Sequence, residues 1–550
     1  MEKKYVIGVD FGTDSVRALV IDTRTGEEIS GAVSNYRRWS EGLYCNPSES
    51  QFRQHPKDYL ESLEIVLKKA VAECPDKEAI MAIGVDTTAS TPGLIDENCV
   101  PLAMREEFSE NPDAMFVLWK DHTAQQEAYH LQDVVDNADR PYLLHSGNHS
   151  SAETFWPKIF HILRNSPEMQ PVAKSCLEFC DWIPAVLAGI SDLKKVPMSH
   201  CGANVKRLYS PRWGGFPKKE LFDQVDRLLF PLVENMPEQS ACIVDAVGKL
   251  SEEWAEKIGL TIDVVVCTGI IDSYAGAIGA GVREGSVVMN LGTSQCQMAV
   301  RKKTDATING VFGEADDSIL VGFEGLEAGV SAFGDLYAWY KRILSWPMQR
   351  LAKNSDNEEL KKALEEAQDS MIADLSEEAL KLNVTLKTPL ATDYINGRRS
   401  PAPQNSLTGA LMGFHISTTA PELFYAFAEA SAFATKAVLD LYIDNGVEVN
   451  RLIAIGGIAL KSPLVCQLIA DLTQFPVEVS ASKNSCALGA AINAAVAAGI
   501  YRDAIEAQDA MCPEILRTYY PNPDRKDLLG ERYIRYKALG DFTELVWMNK

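Results

Sequence analysis

The sequence predicts an α/β protein in two halves, each opening on a β-hairpin whose turn carries Gly-Thr. Three observations lead there. The chain has 550 residues, more than one hydrophobic core accommodates, so two domains of a few hundred residues are expected. VDFGTDSVRALV at 9–20 returns 280 positions later as MNLGTSQCQMAV at 289–300. Both copies read apolar strand, Asp or Asn, an apolar residue, Gly-Thr, then a second apolar strand. AIGGIALKSPLVCQLIADLTQFPVEV at 454–479 reads strand, Gly-Gly turn, helix and strand, the pattern of a βαβ crossover in a parallel sheet.

Either hairpin alone is a common turn. As a pair they suggest more. Gly12 and Gly292 permit turns that aim backbone N–H groups inward, and Thr13, Ser15, Thr293 and Ser294 add hydroxyls, which makes each turn a candidate anion nest. Two nests facing across a cleft would grip a polyphosphate from both sides. Asp10 of the first copy is Asn290 in the second, so one half alone brings a charge. A carboxylate beside a phosphate nest implies a bridging cation, and Mg²⁺ binds in this way, largely through its waters.

Between the hairpins, IGVDTTASTPGLID (83–96) repeats the form of strand, small-hydroxyl turn and strand, with Asp86 and Ala89 in it. MFVLWKDHTA (115–124) gathers Trp119, Lys120, Asp121 and His122. An aromatic beside polar groups suits the apolar face and hydroxyls of a sugar, and equally a half-buried Trp beside solvated charges. HCGANVKRL (200–208) offers Lys206 in a Gly/Asn loop. In CTGIIDSYAGAIGAG (267–281) a strand leads through Asp272 into a helix of small residues. Asp272 reads either as an N-cap or as a general base beside a helix N-terminus that favours phosphoryl charge. The Gly/Ala-rich helix tilts the reading toward function, since something bulky must approach it.

GLEAGVSAFGDLYAW (325–339) sets Glu327 between two glycines ahead of a helix. Residues 346–400 are charged and helical, with a Pro-rich break, RRSPAPQNS, at 398–406; they read as an exposed helical excursion and not a catalytic element. Gly456 and Gly457 let a flat group lie on backbone, and CALGAAINAAVAAG (486–499) reads as a close-packing scaffold helix behind that turn. Three look-alikes fall away. DFG at 10–12 has no room upstream for the rest of a protein-kinase signature, GKL at 248–250 lacks P-loop spacing, and GAIGAG at 276–281 does not fit GxGxxG.

Bulk properties narrow the class. The formal net charge is −23 and the pI about 4.9, which argues against nucleic-acid and anionic-membrane surfaces. An anionic substrate must then be met by a metal, backbone N–H groups or a few placed cations. Twelve scattered cysteines without a CxxC pair suit a reducing cytoplasm. The N-terminal apolar run is too short for a signal peptide, and 486–501 is too short to span a bilayer. A soluble cytoplasmic enzyme is expected.

The motifs together resemble the FGGY family of carbohydrate kinases, within the hexokinase/actin superfamily, along essentially the whole chain. DFGTDSVRA is similar to its first phosphate motif, NLGTSQC to its second, GGIALKSP to its adenosine motif, and GIIDSYAGAIGAG to the segment carrying its catalytic base. The longer runs QFRQHPKDYLES, VDTTASTP, PDAMFVLWKDHTA, GLEAGVSAFGDLYAW and NGRRSP resemble its ketopentose-kinase branch. Many members carry Arg in a W-x-D-x-R pattern; here WKDHT stands there.

The resemblance implies two actin-like, ribonuclease H-like domains with a central cleft and duplicated β-hairpin phosphate loops. These would be an N-terminal domain at 1–266, bearing the sugar site, and a C-terminal domain at 267–550. ATP would be held by Gly12, Thr13, Asp14, Ser15, Arg17, Gly292, Thr293, Ser294, Gly456, Gly457 and Lys461. Mg²⁺ would be held through Asp10, with Asp272 nearby. An open-chain ketopentose would contact Ala89, Trp119, Asp121, Lys206 and Glu327. Asp272 would be the catalytic base, with an ordinary carboxylate pKa, since phosphoryl transfer depends more on alignment than on a strong base. A homodimer is expected from the resemblance. The rival readings are a kinase of another ketopentose or a polyol, and an actin-like nucleotide sensor without sugar chemistry.

Overall fold

The computed structural model describes residues 3–404 and 406–548, so Asn405 of the Pro-rich break lies outside the described residues. The first sheet begins with an antiparallel meander, β1 (Tyr5–Phe11), β2 (Ser15–Asp22) and β3 (Glu28–Asn35). Helix α1 (Pro56–Ala72) buries Tyr59, Leu63, Val66, Leu67 and Ala70 against it, the spacing of one helical face. The helix returns the chain to β4 (Ile80–Thr87), which pairs parallel to β1. Further on come α2 (Phe155–Asn165) and α3 (His200–Lys206). Strands β5 (Ala246–Lys249), β6 (Val265–Cys267) and β7 (Ile270–Ile271) complete the sheet. The division expected at 266/267 falls inside β6, and β7 still pairs with β4.

After α4 (Asp272–Gly279) the plan repeats. Strands β8 (Gly285–Leu291), β9 (Gln295–Arg301), β10 (Gly313–Asp316) and β11 (Glu324–Val330) pair antiparallel in the order β10-β11-β9-β8. Helices α5 (Gly334–Lys353), α6 (Glu358–Leu380) and α7 (Ala420–Asp444) follow. Then β12 (Val449–Ile455) adds parallel to β8, β13 (Val477–Ser480) parallel to β12, and β14 (Ile515–Tyr519) antiparallel at the edge. The run β3-β2-β1-β4-β6 of the first half is thus matched by β11-β9-β8-β12-β13 in the second. Strands β1 and β8 share the same burial pattern, and in both the one partly open position is the residue before the last, Asp10 or Asn290. Both halves are α/β, as expected.

Each half has its own apolar core, and a third core lies between the sheets. Its centre is α8 (Ser485–Ala497), reached after β13 but packed on β1, β4 and α4 of the first half. The approach is backbone to backbone. A Cβ at Gly8 would fall 1.9 Å from the Ala487 carbonyl oxygen, and one at Gly84 would fall 2.0 Å from that of Ala490. On the α4 side, a Cβ at Gly279 would lie 2.0 Å from Ser485 O, and one at Gly489 would lie 1.8 Å from Ala275 O. The expectation that α8 backs the 456–457 turn is corrected. So is the argument from α4's small residues: what approaches them is α8, for packing and not for a ligand.

The excursion is shorter than expected. Only Leu375, Ser376 and Ala379 of α6 are buried, whereas the strand-like end of the segment runs inward, as described below. Among the described residues, no helix is long and apolar enough to cross a membrane.

Replacing Gly489 by Ala forces a methyl group into the α4 backbone, an overpacking cost of about 1–3 kcal/mol or more. The thermal midpoint falls by several degrees in this variant. In Gly530→Ala, in a helix where an added Cβ meets nothing within 4 Å, it holds or rises.

Candidate active site

Strand register brings three acids together. Asp10 stands beside Asp86 across the β1–β4 pair, and Ile270 and Ile271 stand beside Asp86 and Thr87. Asp272 therefore opens α4 one residue beyond the sheet. All three carboxylates lie at the C-terminal ends of neighbouring parallel strands, where open α/β sheets bind ligands. Asp10 has a cross-strand partner, Arg17, at 3.4 Å. Asp272 accepts from its neighbour's backbone N–H, Ser273 N, at 2.6 Å. Asp86 is wholly buried, and neither of its oxygens has a hydrogen-bond partner.

Such crowding shifts titration. Burial raises the Asp10 carboxyl, opposed by Arg17. Asp86 is raised well above the usual range by burial and then by the charges of Asp10 and Asp272. Asp272 is pushed up to about 7, first by burial and then by Asp10. The expectation of an ordinary pKa at Asp272 is therefore corrected. Hard oxygen donors with a single nearby guanidinium are a fitting environment for Mg²⁺, and the orphaned oxygens of Asp86 call for a cation. The spacing in VDTTASTP gives Asp86 no role; strand register places it beside Asp10.

The two turns are built alike. Gly12 N donates to Ser15 O at 3.0 Å, and Gly292 N to Ser294 O at 3.1 Å. These two N–H groups close the turns and are not themselves offered inward. What the turns present to the cavity is Thr13 from one and Asn290 and Ser294 from the other. The second turn is tied to the start of α5, because Thr293 O accepts from Phe333 N and Asp335 N at 2.9 and 3.1 Å. Gly456 has φ +92°, and a Cβ there would lie 2.8 Å from Asn290 Oδ1, so the Gly-Gly turn is seated against the second phosphate turn. Nothing within 4 Å covers the Cβ position of Gly457. Lys461 ends the short helix that follows. Asp14 is engaged by Trp39 Nε1 at 2.7 Å, and Arg17 by Asp10, so both serve the first turn itself.

Beside the acids lies a cavity of about 220 Å³ walled by both halves, small beside the roughly 300–1,000 Å³ of pockets for drug-sized ligands. Ala89, Trp119, Lys206, Asp272 and Glu327 all line it. Glu327 on β11 accepts from Ser273 Oγ at 3.2 Å and Tyr274 OH at 3.0 Å, and Lys206 Nζ at the end of α3 lies 3.6 Å from it. Trp119 Nε1 donates to Thr13 Oγ1 at 3.1 Å, which joins the cavity wall to the first turn.

Asp121 does not line the cavity, and its expected sugar contact is corrected. It is fully buried in an ion pair with Arg53 and accepts from Phe52 N and from Thr123 N and Oγ1. Every acceptor position faces protein, so it braces the loop that carries Trp119. Asp121→Ala leaves the buried Arg53 guanidinium with only the longer carboxylate contact, to Asp113 at 3.4 Å, a cost of up to about 3–5 kcal/mol. Urea unfolding moves to markedly lower denaturant in that variant.

Two lysine and arginine positions escaped notice. Arg399 lines the cavity from within the segment read as exposed and non-catalytic, which corrects that reading at its C-terminal end. It pairs with Glu153 at 2.9 Å, and Glu153 reaches His122 Nε2 at 3.0 Å. Burial opposes ionisation of Glu153, yet Arg399 and His122 outweigh it and hold the carboxyl at about 2. Lys158, buried on α2, donates to the carbonyls of Ser90, Leu118 and Trp119 at 2.7, 2.9 and 3.3 Å. It fixes the loops bearing Ala89 and Trp119. A lone Lys in FWPKIFHIL was the available signal.

With this geometry in hand, the comparisons are consistent along the chain. Residues 5–279 match the N-terminal domain of the FGGY family of carbohydrate kinases, and residues 287–498 match its C-terminal domain. A ribulokinase of Vibrio parahaemolyticus is 39% identical over 99% of this chain and 97% of its own length. A ribulokinase of Shouchella clausii is 33% identical over 98% and 95%. The crystal structure of a xylulose kinase from Rhodospirillum rubrum superposes with a TM-score of 0.76 at 18% identity, covering 99% of this chain and all of that one, which speaks to the fold.

Proposed function

This chain belongs to the FGGY family of carbohydrate kinases, and on that premise we propose that it is an L-ribulokinase, moving the γ-phosphoryl group of ATP to the 5-hydroxyl of L-ribulose in L-arabinose catabolism in the cytoplasm. The observation that carries the reading is one shared cavity. Asp272 stands in the same wall as Lys206 and Glu327 and faces the hydroxyl groups of both turns, Thr13 and Ser294. The choice of ketose rests on the relatives named ribulokinase along nearly their full length.

In this reading the nucleotide lies along the cleft, with its adenine over Gly456 and Gly457 and its phosphates between the turns. Asp10 and Asp272 would hold Mg²⁺, which supplies charge neutralisation to the phosphates when bound. The sugar lies against Trp119. Lys206 and Glu327, already braced by Ser273 and Tyr274, hydrogen-bond its hydroxyls. Asp272 accepts the proton of the 5-hydroxyl as the new P–O bond forms. Closure of the two halves around the bound sugar would keep water from the phosphoryl group, and positioning contributes most of the acceleration.

A coupled ADP-release assay over ketopentoses and polyols, ranked by kcat/KM, tests the substrate. L-ribulose should lead; another sugar in first place, or ATPase indifferent to all of them, refutes the assignment. Asp272→Asn retains nucleotide affinity while kcat falls by roughly 10²–10⁴-fold. Near-normal turnover would remove Asp272 from the role of base. Since a base must be ionised and burial with Asp10 raises this carboxyl to about 7, kcat/KM of the wild type falls about tenfold per pH unit below that value and levels above it.

A further inference from the structure

We propose that Asp86 is a further carboxylate of the divalent-cation site, holding the metal together with Asp10 from the ends of β1 and β4. The inference rests on the kinase reading of the same site and adds a ligand to it. Three observations converge. One oxygen of Asp10, one of Asp86 and the Cys486 sulfur lie within 4.8 Å of one another. Asp86 is 0% exposed. Neither of its oxygens is hydrogen-bonded.

Other buried carboxylates are held by a cation or a backbone donor, Glu178 through one oxygen only, by Thr91 N. Asp121 has Arg53, Glu429 has Arg532, and Asp181 has Arg207 and Ser199 N. Beside Asp86 stand its strand neighbour Asp10 and the Cys486 thiol. A fully buried, unpartnered carboxylate costs several kcal/mol in folding. A Thr or Asn at the same strand position would cost less. A divalent cation resolves the arrangement, since hard ions such as Mg²⁺ and Mn²⁺ take carboxylate oxygens and complete their shell with water and phosphate. Cys486 is then a bystander to hard ions. To a soft ion such as Cd²⁺ its sulfur is a ligand, which gives the site a spectroscopic and thermodynamic marker independent of turnover.

The test uses the full chain without nucleotide or sugar and reads Mn²⁺ binding by electron paramagnetic resonance. Asp86→Asn, which keeps the shape of the side chain, should weaken Mn²⁺ at least tenfold, and Asp10→Asn should do the same. Cys486→Ser should leave Mn²⁺ within twofold and weaken Cd²⁺ at least tenfold, read by calorimetry on a protein whose strands are unaltered. Wild-type Mn²⁺ affinity in Asp86→Asn overturns the proposal, as does Cd²⁺ affinity indifferent to Cys486; the two acids would then merely share a proton. If Asp86→Asn does not fold, the Cys486→Ser and Asp10→Asn comparisons decide the matter by the same criteria. A sugar panel that shows kinase activity alongside unchanged Mn²⁺ binding sinks this inference and spares the kinase reading.

Discussion

Everything at the site depends on the contact of α8 with β1, β4 and α4. No side chain stands between these backbones at Gly8, Gly84, Gly279 and Gly489, so the four elements form one block. The acids sit at the upper rim of that block: Asp10 and Asp86 on its strands, Asp272 on its helix. Yet α8 belongs in sequence to the second half, which follows β12 and β13 into it. The geometry between the first phosphate turn and the Gly-Gly turn is thereby set through close-packed backbone, which transmits displacement with little slack.

How much of this was legible in the chain varied with the kind of information needed. The duplicated hairpin was plain because strand period and Gly-Thr spacing are local, and Asp10 and Asn290 followed from it, while Asp272 came from its own strand-to-helix turn. Asp121 misled, because a WKDH run looks the same whether its acid faces a ligand or an arginine 68 residues away. Arg399 and Lys158 were missed for a related reason. Each acts on loops far off in sequence, and neither charged helices nor an apolar helix with one Lys says where its cation points. Asp86 needed the register of two strand pairs at once. Small residues in α4 were read correctly as a close approach, but the approaching object was another helix.

Charge is handled unevenly across the molecule. Around the sugar cavity the acids are neutralised in place: Glu327 by Lys206, Glu153 by Arg399 and His122. Along the strand ends they are not: Arg17 pairs with Asp10, and the oxygens of Asp86 have no partner. The contrast separates a region finished by the protein from one left for something else to finish. On the proposed kinase reading, the same economy lets a chain of net charge −23 meet a polyanion locally, with an added cation.

The partly open place that β1 and β8 have in common, filled by Asp10 in one and Asn290 in the other, has a geometrical consequence. Two turns of like sequence, both lining one cavity, would by themselves offer a chain of phosphates little sense of direction. A single oxygen-for-nitrogen difference abolishes that equivalence. On the kinase reading proposed above, it marks the Asp10 end of the groove as the metal-bearing pole and so gives a bound phosphate chain a head and a tail.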